Sequence, residues 1–309
     1  MQPRRILITG GAGYVGNVLA PHLLEHGYEV AVYDILYFGA ETLPRDPKLE
    51  VIEGDIRDTA RLAQAFRGVD VVLHLACISN DPSFELDEEL SRTVNYDCLE
   101  PMVVAARDAG VARFVYCSTS SVYGVSDEPN VTEDHPLVPL THYNRFKGLC
   151  EPLLKKHLTR DFTGVVIRPA TICGYSPRQR LDLSVNILTN HAVTNGRIRV
   201  FGGAQLRPNL HIRDMARAYQ LMIEAPAEKI QGETFNIGFQ NLAIAEIAEM
   251  VRGVVEREFP ERVPIEIATE PSDDPRSYHI NSDKVRRVLG FASELGVEDA
   301  VRDLCVAFR

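Results

Sequence analysis

The sequence has few features of a membrane, secreted or metal-binding protein. None of its apolar runs approaches the roughly 20 residues that a membrane-spanning helix needs, and VVLHLACI at 71–78 is among the longest. The N-terminus, MQPRRILITGG, lacks the longer apolar core of a signal peptide, so we expect a cytoplasmic protein. The six cysteines form no CxxC pair, and the nine histidines lack metal-ligand spacing. These absences favour free thiols over disulfides, and no metal site is expected.

Positive charge is also scarce, because 33 Lys and Arg stand against 43 Asp and Glu, for a net charge of -10. This balance argues against a nucleic-acid partner. Residues 168–213 nevertheless contain seven arginines, no lysine and one acid, Asp182. Guanidinium groups bind phosphate and carboxylate oxygens bidentately. The segment therefore predicts either a site for an anionic ligand or several ion pairs with acids elsewhere in the chain.

Strand and helix patterns alternate through the first half of the chain. Continuous apolar runs predict strands that are buried on both faces, namely RILITG (5–10), EVAVYD (29–34), LEVIEGD (49–55), DVVLHLA (70–76), RFVYCSTS (113–120) and GVVIRPA (164–170). Helical patterns lie between them, and this order predicts a doubly wound parallel sheet in the α/β class. After residue 170 the elements shorten, although 211–225 and 243–259 have helical spacing and TFNIG (234–238) has the pattern of another buried strand.

A glycine motif follows the first predicted strand and opens the first helix. In TGGAGYVG, Gly10 permits a tight turn, Gly13 lets backbone amides approach a pyrophosphate, and Gly16 lets the helix pack close to the sheet. Asp34 ends the second strand, where a carboxylate accepts hydrogen bonds from ribose hydroxyls and repels a 2′-phosphate. The motif therefore predicts NAD rather than NADP. Asp55 ends the third strand and either reaches the adenine or caps the next helix.

The stretch THYNRFKG places Tyr143 and Lys147 four residues apart, on one face of a predicted helix. It follows STSSVYG (118–124), which lies at the carboxyl end of a strand, where ligands bind in such sheets. A free tyrosine titrates near 10, so it needs stabilisation of about 4 kcal/mol for a pKa about three units lower. Lys147 and the positive nicotinamide ring are the two cations that we expect to supply it.

Together these residues resemble the extended short-chain dehydrogenase/reductase family, in its NAD-dependent nucleotide-sugar epimerase and dehydratase branch. The resemblance covers nearly the whole chain and includes GDIRD, LHLA followed by Cys77, TVNYDC, RPATICGYSPRQR, HIRDMARAY, FNIG and DKVRRVLGF. It implies a catalytic triad of Thr119, Tyr143 and Lys147. The cofactor contacts that it implies, together with the motifs above, are Gly10, Gly13, Tyr14, Val15, Gly16, Asp34, Asp55, Ile56, Leu75, Ala76, Cys77, Asn95, Tyr143, Lys147 and Pro169. The implied substrate contacts are Ser79, Thr119, Ser120, Thr171, Arg178, Arg207 and Arg276.

The resemblance also implies a Rossmann domain over 1–170, with a return around 211–240. A smaller α/β C-terminal lobe over 171–309 is expected to bind the substrate. Family members often form homodimers through a helical bundle that includes the Tyr/Lys helix, so a homodimer is expected here by analogy.

The implied reaction is oxidation at C4 of a nucleotide-diphospho-sugar, with Tyr143 taking the hydroxyl proton and NAD taking the hydride. In a 4-epimerase the hydride returns to the other face of the sugar, so there is no net redox change. Ser120 and Ser121 stand where dehydratases of this branch carry Asp-Glu, which argues against 4,6-dehydration. Thr171 stands where epimerases usually carry Asn, which leaves the sugar open. We therefore expect a 4-epimerase, with a 4-ketoreductase or a non-catalytic NAD-binding sensor as the alternatives.

Overall fold

A computed structural model describes residues 3–79, 81–126, 128, 130–272 and 277–309. Its strands are β1 (Arg5–Thr9), β2 (Glu29–Asp34), β3 (Leu49–Glu53), β4 (Val71–His74), β5 (Arg113–Cys117), β6 (Thr163–Pro169), β7 (Thr171–Cys173), β8 (Arg197–Phe201), β9 (Leu206–His211), β10 (Thr234–Ile237), β11 (Gln240–Ala243) and β12 (Glu266–Glu270). Its α-helices are α1 (Gly16–Glu25), α2 (Thr59–Ala65), α3 (Asp81–Glu85), α4 (Glu88–Arg92), α5 (Leu99–Asp108), α6 (His142–Lys155), α7 (Ser184–Asn195), α8 (Ile212–Glu224), α9 (Ala227–Ile230), α10 (Ile244–Glu258), α11 (Asp283–Leu289) and α12 (Val297–Ala307).

Seven strands form one parallel sheet in the order β10-β6-β5-β4-β1-β2-β3. Strands β4 and β6 are buried along their whole length, as their continuous apolar sequences predict. The edge strand β3 is largely exposed, whereas β10 at the opposite edge is buried along its whole length. The predicted fold class, a doubly wound α/β sheet, is confirmed.

Helices cover both faces of this sheet, because alternate residues of each strand point to opposite sides. Ile6 and Ile8 of β1 pack in one apolar cluster with residues of α1 and α8. Leu7 packs in the other cluster with residues of α2, α5 and α6. The strand order reverses between β1 and β4, so their carboxyl ends form the crevice in which ligands bind in such folds.

The second half of the chain adds two small sheets, β11-β9-β7 and β12-β8. A third apolar cluster lies among α7, α10 and α12 and the strands β8 and β12. Strand β10 instead returns to the large sheet and pairs with β6, in the register Phe235 to Ile167. The division into two domains at residue 170 stays a prediction. In the part of the chain that the structure describes, no helix has the length and apolarity to span a membrane.

Candidate active site

The glycine motif forms a close turn between β1 and α1. Gly10 has a φ of 71°, and a Cβ there would lie 2.7 Å from the backbone of Ala76, beyond the end of β4. A Cβ on Gly16 would lie 2.2 Å from the carbonyl oxygen of Gly11. A side chain at Gly10 would therefore push the turn away from the end of β4, and a side chain at Gly16 would push α1 away from the turn. Their absence leaves a backbone cradle at the amino end of α1.

Asp34 lies beside this cradle at the end of β2. Its carboxylate accepts hydrogen bonds from the backbone amide of Ala12, at 3.0 Å, and from that of Leu36, at 2.9 Å. Both bonds hold the carboxylate against the turn, where it can still accept hydrogen bonds from a ribose.

Asp55, at the end of the third predicted strand, lies next to Arg57. The Arg57 side chain donates hydrogen bonds to its carboxylate and holds the pKa of Asp55 below its usual range. The cap of the following helix is Asp58, which accepts a hydrogen bond from Arg61 N at 3.0 Å. The alternative role of Asp55 as that helix cap is therefore wrong, and its adenine contact stays a prediction. Ile56, predicted beside it, is buried.

The turn after β4 carries the predicted contacts Leu75, Ala76, Cys77 and Ser79, and Asn95 holds it in place. Asn95 is buried in a π-helical turn over Thr93–Asp97. Its side chain donates to the carbonyl of Ile78 and accepts from the amide of the same residue, both at 2.8 Å. This exchange explains the asparagine, because an amide group both donates and accepts.

The three predicted catalytic residues come from the end of β5 and from α6. Thr119 Oγ1 lies 2.8 Å from Ser121 Oγ and accepts a hydrogen bond from the amide of Ser121. Tyr143 lies in the first turn of α6, and Lys147 lies one turn later on the same face. Lys147 is buried, with Nζ 4.8 Å from the ring centroid of Tyr116.

The protein alone gives Tyr143 an environment that favours the neutral phenol. Burial raises the pKa of its phenol well above the usual value, and the thiols of Cys77 and Cys117 add to this effect. The neighbouring cation Arg180 opposes the rise. The expected lowering of this pKa involves the positive nicotinamide ring as well as Lys147, so the acidic phenol stays a prediction.

A cavity of about 440 Å³ opens beside Tyr143. Polar side chains from α6, β7 and the strands of the second half of the chain line it, including Ser121, Tyr143, Asn144, Thr171, Arg199 and Arg207. Tyr278 and Phe201 add aromatic surface to the same cavity, and the guanidinium of Arg207 lies 5.7 Å from the ring centroid of Tyr278. The cavity thus combines two phenols, amides, hydroxyls, two guanidinium groups and the carboxylates of Asp81 and Asp182.

Comparison with known proteins agrees with this geometry. Residues 6–238 match the model of the NAD dependent epimerase/dehydratase family. The chain belongs to this family. The UDP-glucose 4-epimerase of Lactobacillus helveticus is 27% identical over 93% of this chain and 91% of its own. The solved structure of DesIV, a dTDP-glucose 4,6-dehydratase from Streptomyces venezuelae with NAD bound, is 25% identical, with a TM-score of 0.85 over 98% of this chain and 96% of its own. MoeE5 in complex with UDP-glucuronic acid and NAD is also 25% identical, with a TM-score of 0.84 over 98% of both chains.

Membership of the family makes the protein an NAD-dependent enzyme, and the glycine cradle fits that cofactor. Gly10 lets the turn pack closely against the backbone of Ala76, and Asp34 lies beside the turn with acceptor capacity for a ribose. Gly13, Tyr14 and Val15 form the rest of the turn, and Pro169 ends β6 next to Thr171 at the start of β7. The NAD contacts of the individual residues stay predictions.

Three predicted substrate contacts need separate comment. Ser120 begins a 3₁₀ turn and is 1% exposed, whereas the next residue, Ser121, lines the cavity. The substrate contact of Ser120 stays a prediction, and Ser121 is a further candidate. Arg178 lies over the ring of Phe38, near the glycine motif. Arg276 falls outside the described residues.

Most of the arginines in the segment 168–213 take part in ion pairs, as the second alternative for this cluster predicts. At least five of the seven pair with acids, namely Arg168 with Glu151, Arg180 with Asp182, Arg197 with Glu266, Arg199 with Glu270 and Arg213 with Asp303. Arg199 also lines the cavity together with Arg207. The ion pairs account for most of the cluster, and an anion site that includes Arg199 and Arg207 stays a prediction.

The structure also adds residues that sequence reasoning missed. Asn144 and Arg199 line the cavity, and Asn144 follows Tyr143 directly in α6. The signal for Asn144 was available, because it lies inside the YNRFK motif. The arginine-rich segment 168–213 includes Arg199, but the sequence did not single it out, since its place depends on how β8 packs against the rest of the fold.

Proposed function

We propose that the protein is an NAD-dependent nucleotide-diphospho-sugar 4-epimerase. The observation that carries the proposal is that Tyr143, Arg199 and Arg207 line the same cavity. Such a substrate requires two functions of the site. A phenol can exchange a proton with the sugar hydroxyl, and guanidinium groups can bind the diphosphate. The UDP-glucose 4-epimerases among the relatives support this choice.

The residues of the chain divide the work of moving a proton. Tyr143 Oη takes the proton from the C4 hydroxyl of the sugar and later returns it. Thr119 and Ser121, whose oxygens lie 2.8 Å apart, hold that hydroxyl toward the phenol. When bound, NAD supplies the acceptor for the hydrogen that leaves C4. Burial raises the pKa of Tyr143 and Arg180 lowers it, and the ammonium of Lys147, one turn away on the same face of α6, is proposed to add to the lowering when NAD is bound.

The second half of the chain supplies the substrate side of the cavity. Arg207 on β9 is proposed to bind the diphosphate, because its guanidinium presents a planar fork to phosphate oxygens. Arg199 is held by both carboxylate oxygens of Glu270, at 2.8 and 2.9 Å, and adds positive charge at the same cavity. Thr171 replaces the asparagine usual in epimerases and offers a hydroxyl in place of an amide.

The test is a panel of nucleotide-diphospho-sugars incubated with the purified protein and followed by NMR. We expect at least one sugar to be converted to its C4 epimer without added NAD and with no lasting NADH signal. A 4-keto sugar that is reduced with stoichiometric loss of NADH would replace the proposal by a ketoreductase. Binding of NAD with no turnover of any sugar would instead support the alternative of a non-catalytic NAD-binding sensor.

A further inference from the structure

Two segments meet above the glycine motif. The first is the loop after Asp34, in which Leu36 has a φ of 55°, in the left-handed region. The second follows β7, and the side chain of Tyr14 fastens it to the motif. Tyr14 Oη donates to the carbonyl of Gly174, and Ser176 Oγ donates to the carbonyl of Tyr14, both at 2.7 Å. The second segment is thus held beside the cofactor cradle.

Arg178 and Phe38 join these segments. The guanidinium carbon of Arg178 lies 3.5 Å from the ring centroid of Phe38, closer than a typical cation–π contact requires. Phe38 itself is 62% exposed, so the contact is made at the surface of its loop and not in the core. The Phe38–Arg178 contact therefore spans the cleft between the end of β2 and the segment fastened to Tyr14.

The hydrogen bonds of Arg178 are incomplete in the described structure. Its Nη1 donates to the carbonyl of Gln179, but its Nε is buried and has no hydrogen-bond partner among the described residues. A buried donor without a partner costs free energy, and a guanidinium stacked on a ring keeps its in-plane N–H groups free to bind an anion. The site points to an anionic partner at the amino end of α1.

We propose that Arg178 binds the diphosphate of NAD, with Phe38 as the platform that holds it, and that this pair slows release of the cofactor. The family resemblance implies instead that Arg178 contacts the substrate. The proposal rests on NAD occupying the glycine cradle and adds to the proposed function, since an epimerase uses the same NAD in both halves of its reaction.

The experiment measures the release of labelled NAD from purified protein for four variants. Phe38→Ala removes the platform, Arg178→Ala removes the cation, and Arg178→Lys keeps the charge without the planar stack. Arg309→Ala is the matched control, because Arg309 also lies over an aromatic ring, that of Phe259, at 5.5 Å. We expect release about tenfold faster in Phe38→Ala and Arg178→Ala, a smaller change in Arg178→Lys, and no change in the control.

Binding of UDP, which carries a diphosphate but no nicotinamide, separates the two roles of Arg178. Weaker UDP binding with unchanged NAD release would overturn the proposal and return Arg178 to the substrate site. Unchanged NAD release in Phe38→Ala would also overturn it, and this exposed position can be replaced without disturbing the core. Because NAD release is measured without any sugar, its outcome does not depend on whether the protein is an epimerase.

Discussion

At the scale of single residues, the phenol of Tyr143, the proposed proton acceptor, is under opposing electrostatic influences. Burial and two neighbouring thiols raise the pKa of its phenol, whereas Arg180 opposes the rise. Lys147 lies one turn away, beneath the site and against the ring of Tyr116. Under the proposed function, the positive nicotinamide ring of bound NAD would lower this pKa, so we expect proton transfer to depend on occupation of the cofactor site.

Replacing Tyr143 by Phe removes the proton acceptor and leaves the shape of the cavity. We expect kcat to fall by about 10²- to 10⁴-fold. The phenolate is the form that accepts a proton, and the pKa of Tyr143 is raised. The wild-type rate should therefore increase with pH at pH values below this pKa, and this pH dependence should be absent in Tyr143→Phe. Rate against pH measures both effects. Tyr28→Phe, which removes a phenol bonded to Glu224, is the control; equal losses in both variants would argue against a special role for Tyr143.

Replacing Arg207 by Ala tests the diphosphate contact. The guanidinium binds the substrate equally before and during the reaction, so we expect KM to rise by about tenfold or more and kcat to change less. Arg197→Ala on the neighbouring strand β8, where Arg197 is paired with Glu266, should leave both constants near the wild-type values. A change in kcat alone would place Arg207 in the chemistry instead of in substrate binding.

At the scale of elements, helix α6 is fixed to the sheet by a buried ion pair. Arg168 on β6 donates to both carboxylate oxygens of Glu151, at 2.9 and 2.6 Å, and Ser118 Oγ donates to the same carboxylate at 2.7 Å. Glu151 lies one turn after Lys147, so this pair sets the position of the helix that carries the site. The arginine that looked like part of an anion site is therefore part of the framework.

Replacing Glu151 by Gln leaves the buried charge of Arg168 without its partner. We expect a loss of about 3–5 kcal/mol in the free energy of unfolding, measured by urea denaturation. Arg302→Ala, which breaks a surface pair with Asp299 at 2.9 Å, should cost less than about 1 kcal/mol. Equal losses in the two variants would show that burial of the Glu151–Arg168 pair has no special effect.

The junction of the glycine turn with α1 allows no side chain at Gly16. Since a Cβ there would lie 2.2 Å from Gly11 O, Gly16→Ala should destabilise the protein by about 1–3 kcal/mol and lower its NAD content. Gly253→Ala, inside α10, meets only Arg257 Nη1 at 3.8 Å and should instead stabilise the protein by about 0.5–1 kcal/mol. Thermal unfolding and the amount of bound NAD check both expectations. Full NAD content in Gly16→Ala would contradict the first.

At the scale of the whole molecule, several tyrosines hold their protons more strongly in the folded state. Burial raises the pKa of Tyr33 and of Tyr123 to about 12, and it raises the pKa of Tyr116 and Tyr219 further. Unfolded tyrosine titrates at about 10. The unfolded chain therefore loses protons first as the pH rises.

Stability should be fully present below pH about 10 and should be lost as the pH rises toward 12. Each buried tyrosine contributes at most about 1.4 kcal/mol per pH unit to this slope. Urea denaturation at a series of pH values measures it, and Tyr33→Phe should make the slope shallower. A stability that stays constant from pH 9 to 11 would contradict the assignment. The cytoplasmic location and the homodimer stay predictions at this scale.

The sequence by itself determined the doubly wound sheet, the glycine turn, Asp34 and the Tyr143–Lys147 helix. These features depend on contacts between near neighbours in the chain or on the period of a strand or helix, which the order of residues records directly. Only the tertiary structure decided that Ser121 lines the cavity while Ser120 is buried, that Arg168 pairs with Glu151, and that Arg178 lies on Phe38. These contacts join residues from different elements or depend on which way a turn points its side chains, and both are set by how the sheet and the small lobe pack.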